Sequence, residues 1–124
     1  MIPQRIQLRR TKGWRKPPDT IVVARPTKWG NPFHGAAAAE LFDDWMVVGE
    51  GGRAYKVAAA CFARREWLWT IWGEVSEMAV FLQRREKLLA ALGELRDHNL
   101  ACWCPLDRPC HRDTLLRLSN KENP

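Results

Sequence analysis

Proline and glycine punctuation constrains the fold of this chain more than any other feature. Arg25-Pro26-Thr27-Lys28-Trp29-Gly30-Asn31-Pro32-Phe33 holds two prolines and a glycine in nine residues, so no helix or strand can run through it. Before it stands Ile21 to Ala24, a short run opening on β-branched residues, as a buried strand does. After it comes a helical stretch, Gly35 to Val48, stopped by Gly49 and the Gly51-Gly52 pair. The same order returns near the C-terminus, where Leu100 to Cys104 reads as a strand, Pro105 to Pro109 as a loop and His111 to Leu118 as a helix. Ile2 to Arg9 alternates enough to form a half-buried strand. This order predicts an α/β fold, with residues 1–124 as a single small domain whose short, partly parallel sheet is packed with helices.

The middle of the chain reads as helical. Val57, Cys61, Leu68 and Trp72 fall on one stripe of a helix predicted from Arg53 to Trp72, and Phe81, Leu88, Leu92 and Leu95 share a face of another, in one or two pieces, from Val75 to Leu95. Arg84, Arg85, Glu86 and Lys87 then form a solvated patch. Trp67, Trp69 and Trp72 are expected to pack in the core, with Trp69 the most exposed of the three.

The net charge of +6 is unevenly placed. Residues 1–34 hold eight basic side chains (Arg5, Arg9, Arg10, Lys12, Arg15, Lys16, Arg25, Lys28) against one acid, Asp19, whereas the remainder holds twelve bases and thirteen acids. A positive segment of this kind favours a polyanionic partner such as nucleic acid or a phosphorylated metabolite, a nucleotide included; the alternative is a solvated basic face that keeps the protein soluble. The longest uncharged apolar run, Val57 to Ala63, is far short of the roughly 20 residues that span a bilayer, and Met1 to Arg10 has no signal-peptide character. A cytoplasmic location is the expectation.

The residues best suited to chemistry lie in Cys102-Trp103-Cys104-Pro105-Leu106-Asp107-Arg108-Pro109-Cys110-His111-Arg112-Asp113. On a strand, Cys102 and Cys104 point to one face, and the following turn brings Cys110, His111 and Arg112 to a helix start, where α/β proteins bind anions. Three readings remain open. Cys102, Cys104, Cys110 and His111 can hold zinc, although the usual two-residue knuckle spacing is absent and adjacent Cys110 and His111 are an unusual ligand pair. Alternatively Cys110 is a thiolate favoured by the helix N-terminus and by Arg108 or Arg112, with His111 carrying protons and Arg112 completing the catalytic group. In the third, these residues are structural, with His111, Leu115 and Leu118 on one helix face. The Cys102 to Arg108 spacing also fits a phosphatase loop, but the glycine such a loop needs is missing.

The first loop offers binding groups. Gly30 permits close approach, Asn31 carries an amide able to read a base or ribose edge, Trp29 or Phe33 can stack on a ring, and Arg25 and Lys28 can meet phosphate. A rigid turn anchored by Trp29 and Phe33 is the equally simple alternative.

Val23 to Phe33 and the pair Leu100 to Pro105 and Pro109 to His111 resemble the uncharacterised bacterial and phage family known as domain of unknown function 4326. A Cys-His-Arg triplet opening a helix is, more distantly, similar to domain of unknown function 488. The first resemblance implies one small α/β domain in which the two loops converge on a site; it implies no reaction. The expectation is therefore a protein that binds a phosphate-bearing nucleotide or nucleic-acid segment between Arg25 to Phe33 and Cys102 to Arg112, Arg108 included, and acts on it as an enzyme. The alternative is a non-enzymatic nucleic-acid-binding module stabilised by zinc.

Overall fold

The computed structural model describes residues 3–65, 68–70, 73–75 and 78–121. Strands β1 (Arg5–Gln7) and β2 (Thr20–Val22) are followed by helices α1 (Ala38–Val47) and α2 (Arg53–Ala63), a hairpin of β3 (Leu68–Thr70) and β4 (Gly73–Val75), helix α3 (Met78–Ala91) running into a 3-10 turn at Leu92–Leu95, strand β5 (Asn99–Cys102) and helix α4 (His111–Ser119). The sheet has the order β1-β5-β2 and is parallel throughout, with Ile6 opposite Ala101 and Ile21 opposite Leu100. The last strand in the chain is thus the central one. Leu100 and Ala101 are fully buried, as a strand covered on both faces requires. Ladder bonds continue past the strand ends, from Leu8 N–H to Cys102 O (2.9 Å) and from Val23 N–H to Ala101 O (2.8 Å).

The helices bury an aromatic core. Trp45 stacks on Phe81 with ring centroids 4.8 Å apart, and Phe33 meets Phe81 edge-on at 5.8 Å. These pairs tie α1, α3 and the first loop together, each contributing about 0.5–1.5 kcal/mol beyond the area it buries. Among the described residues no helix is long and apolar enough to cross a membrane.

Two expectations for the middle of the chain need correction. Helix α2 stops at Ala63 instead of continuing to Trp72; Arg65 adopts a left-handed φ of 61°, and Leu68–Thr70 pairs antiparallel with Gly73–Val75. Leu68, Trp69 and Thr70 suit a strand, so a helical stripe counted across them joined two unlike elements. Trp67, Ile71 and Trp72 lie outside the described residues, as do the surroundings of the Trp69 side chain. The second correction concerns the charged patch on α3. Arg84 is buried, and Arg85 donates from Nε to Trp45 O (2.6 Å) and from Nη2 to Met46 O (3.2 Å). Both carbonyls belong to the last turn of α1, which has no intrahelical partner for them. Gly49 lets the guanidinium in: it sits at φ +76°, and a Cβ there would come within 2.6 Å of Arg85 Cζ.

Candidate functional site

Because β2 and β5 run parallel as neighbours, the loops that leave them emerge at the same edge of the sheet. Between these loops lies a cavity of about 580 Å³ whose walls include Arg25, Asn31, Phe33 and His34 on one side and Cys102, Cys104, Arg108, Cys110 and His111 on the other. Gly35, Ala36, Ala38 and Ala39 line it as well, and their side chains are too small to fill it.

The cysteines and His111 form its buried end. Cys102, Cys110 and His111 are each 6% exposed or less, and all four cysteines of the chain are free thiols. The carbonyl oxygen of Val23 lies 2.7 Å from His111 Nε2. A carbonyl can only accept, so Nε2 carries the proton and Nδ1 presents its lone pair, 3.5 Å from Cys110 Sγ. Burial lowers the His111 pKa, partly opposed by the Val23 carbonyl, and the ring is neutral. Cys110 ends the loop in extended backbone (φ −147°, ψ 151°) and His111 begins α4. This break between extended and helical geometry lets two consecutive side chains converge. The Cys110 N–H is capped by Asp113 Oδ2 at 3.1 Å.

The thiols do not share ionisation equally. A hydrogen bond from the Cys110 thiol is the main reason the Cys102 pKa falls, to about 5, helped by the Cys104 backbone and His111 and opposed by burial. Cys110, which keeps the shared proton and is itself buried, is pushed up. Burial also raises Cys104, whose sulfur stands 3.9 Å from that of Cys102. The helix N-terminus acts on Cys110, but the neighbouring sulfur competes for the same proton, so the thiols together, and not Cys110 alone, set where a thiolate forms.

Arg112, expected among the catalytic groups, does not reach the cavity. It is fully buried and donates to four backbone carbonyls: Ile6 O (2.8 Å), Cys102 O (3.2 Å), Cys104 O (2.9 Å) and Pro105 O (3.4 Å). It joins the end of β1 to the cysteine-bearing turn. Arg5 reinforces that arrangement, donating from Nη2 to Arg108 O at 2.7 Å and pairing through Nε with Asp113 at 2.9 Å.

The first loop divides between structure and site. Asn31 lines the cavity, but its amide is committed: Oδ1 accepts from Phe33 N–H and Nδ2 donates to Ala38 O, both at 2.9 Å. It therefore shapes the loop, with one bond from each amide atom spent on the backbone. Trp29 and Phe33 are 4% and 2% exposed, so neither offers a face for stacking. Gly30 packs under Arg25, where a Cβ would meet Arg25 Cγ at 2.6 Å. Lys28 faces away from the cavity, with its ammonium 2.6 Å from Glu94 and 5.1 Å from the Trp29 ring centroid. Arg25 and Arg108 remain as cations on the cavity walls.

Two cavity residues were not foreseen. His34 lies 3.0 Å from Arg25 Nη1 through Nδ1, and its pKa is lowered by burial and then by Arg25. Its only signal was its place directly after Phe33. Trp103 is 45% exposed at the cavity wall, with Arg10 4.9 Å over its ring. Strand alternation placed it opposite Cys102 and Cys104, but could not show that it stays partly exposed at the cavity wall.

No curated protein and no solved structure matches the chain. A family described as domain of unknown function (DUF4326) matches residues 6–121, which run from β1 through the end of α4, and the chain belongs to that family.

Proposed function

We propose that this protein binds a phosphate-bearing ligand, a nucleotide or the end of a nucleic-acid strand, in the cavity at the C-terminal edge of the sheet, and acts on it at the Cys-His centre. The observation that carries this reading is the meeting of Arg25 and Arg108 with Cys102, Cys110 and His111 around one cavity. Guanidinium groups bind phosphate bidentately, and a sheet edge of this polarity is where α/β folds hold ligands. The volume of about 580 Å³ falls within the usual range for small-molecule sites. The N-terminus of α4 adds its dipole at Cys110, and the exposed Trp103 ring offers the stacking surface that Trp29 and Phe33 do not. The anion is held between Arg25 and Arg108, with its reacting end against Cys102, Cys110 and His111.

The test is calorimetric titration with nucleoside monophosphates, nucleoside triphosphates and short single-stranded DNA and RNA, followed by chromatography of each incubated ligand for product. Arg25→Ala and Arg108→Ala should each weaken binding about tenfold or more, roughly 1.4 kcal/mol, while Lys28→Ala should leave it unchanged. Absence of binding across the panel, or unchanged affinity in both arginine variants, would refute the assignment.

A further inference from the structure

We propose that Cys102, Cys110 and His111 form a zinc site whose fourth position opens toward the cavity. Their ligand atoms all lie within 4.8 Å of one another, and all three residues are buried. Zinc bonds of about 2.3 Å to sulfur and 2.0 Å to nitrogen at tetrahedral angles require sulfur-sulfur separations of about 3.8 Å and sulfur-nitrogen separations of about 3.5 Å. The Cys110 Sγ to His111 Nδ1 distance is 3.5 Å, and the other two donor pairs are no more than 4.8 Å apart. Cys110 and His111 are thus already at metal spacing, and Cys102 needs at most a small shift to join them.

The groups behind the donors fit the same purpose. The Val23 carbonyl holds the His111 Nε2 proton, which leaves Nδ1 as the ligand atom and sets the ring plane, as outer-shell acceptors do for metal-bound imidazoles. Arg112 grips the carbonyls of Cys102 and Cys104, so the strand end that carries the thiols is rigid. The extended backbone at Cys110 removes the usual objection to adjacent ligands. Cys104 is half-buried beside the triangle and lines the same cavity as Arg25 and Arg108. An ion held by three protein ligands with its fourth vertex open is a Lewis acid placed where a phosphoryl oxygen or a water can reach it.

Metal analysis of protein purified under reducing conditions without chelator should find about one zinc ion per chain. Metal-free protein titrated with Co²⁺ should develop thiolate charge-transfer and tetrahedral ligand-field absorption. Competition with a chromophoric chelator should show zinc binding weakened at least tenfold in Cys102→Ser and Cys110→Ser, with Cys104→Ser and Cys61→Ser within a few-fold of the parent. Zinc-free protein with no Co²⁺ charge-transfer band overturns the site, and that measurement needs no variant to fold. Loss of zinc from Cys104→Ser as complete as from Cys102→Ser overturns the open vertex. Every measurement is made without nucleotide, so this inference and the ligand-binding reading fail separately.

Discussion

Replacing Arg112 separates two roles that the sequence alone leaves together. If Arg112 touches ligand, Arg112→Lys should fold normally and lose function; if it is a brace, the same change should cost stability first. The structure supports the brace. Its two shortest bonds, 2.8 Å to Ile6 O and 2.9 Å to Cys104 O, are charge-assisted and partly buried, at about 1.5–2 kcal/mol each. The contacts at 3.2 and 3.4 Å add little, and Cys102 O keeps its bond from Leu8 N–H when the guanidinium is gone. Arg112→Met should therefore cost roughly 3–4 kcal/mol, a large share of the 5–15 kcal/mol typical of a domain. At about 3–5 °C per kcal/mol for a chain of this size, Tm falls by roughly 10–20 °C. Arg112→Lys should recover less than half of that loss, because a compact ammonium cannot reach the ends of β1 and β5 and the turn together. Thermal melts followed by circular dichroism, with urea titration for the free energy, provide the measurement. A loss below about 1 kcal/mol in Arg112→Met, or a Lys variant as stable as the parent but without ligand binding, would refute the brace.

Three further outcomes follow from the loops. Gly30→Ala should cost about 1–3 kcal/mol by urea titration and weaken ligand binding, because its Cβ meets both Arg25 Cγ at 2.6 Å and Arg25 Cα at 3.1 Å. Asn31→Leu removes two loop-closing bonds and should lower stability by about 2 kcal/mol, read in the same assay. Reversing charge at Arg9, Arg10, Arg15 and Lys16 should flatten the salt dependence of nucleic-acid binding; an unchanged slope would reduce the N-terminal charge to a solubility feature.

The parts of the fold legible in the sequence are those governed by local chemistry. Prolines and glycines between 25 and 33, and the proline-bounded turn from 105 to 109, mark where regular structure must break, and the apolar runs before them mark strands. From that order the parallel pairing of β2 with β5 follows, and with it the meeting of the two loops. The hairpin at 68–75 was hidden because its strands are three residues each, too short to interrupt a stripe counted at helical spacing. Arg85 and Arg112 are hidden in the sequence for another reason. Each is spent on backbone groups: Arg112 reaches Ile6 O across 106 positions and Arg85 reaches Trp45 O across 40. Every residue carries the same carbonyl, so no pattern of residue types announces which ones a distant side chain will reach.

That limit bears on how the site is built. Polar side chains near a cavity can serve ligand or backbone, and here the choice follows which backbone carbonyls lie within reach. The cysteine-bearing turn between β5 and α4 offers the Cys104 and Pro105 carbonyls, the latter also accepting from Arg108 N–H at 3.2 Å, and the end of β1 adds Ile6 O. Arg112, one residue into α4, is the cation whose stem can deliver a fork to all of them, and once engaged it is lost to the ligand. Arg25 and Arg108 lie on loop segments at the opening, so their charge remains at the cavity wall. His111 obeys the same logic at smaller scale: the Val23 carbonyl occupies one nitrogen, and the other is left facing the sulfurs. The backbone thus selects which atoms of the Cys-His motif remain for chemistry. Arg112→Met should disturb the cavity even though Arg112 never enters it, since the carbonyls it releases belong to the residues that place Cys102 and Cys104.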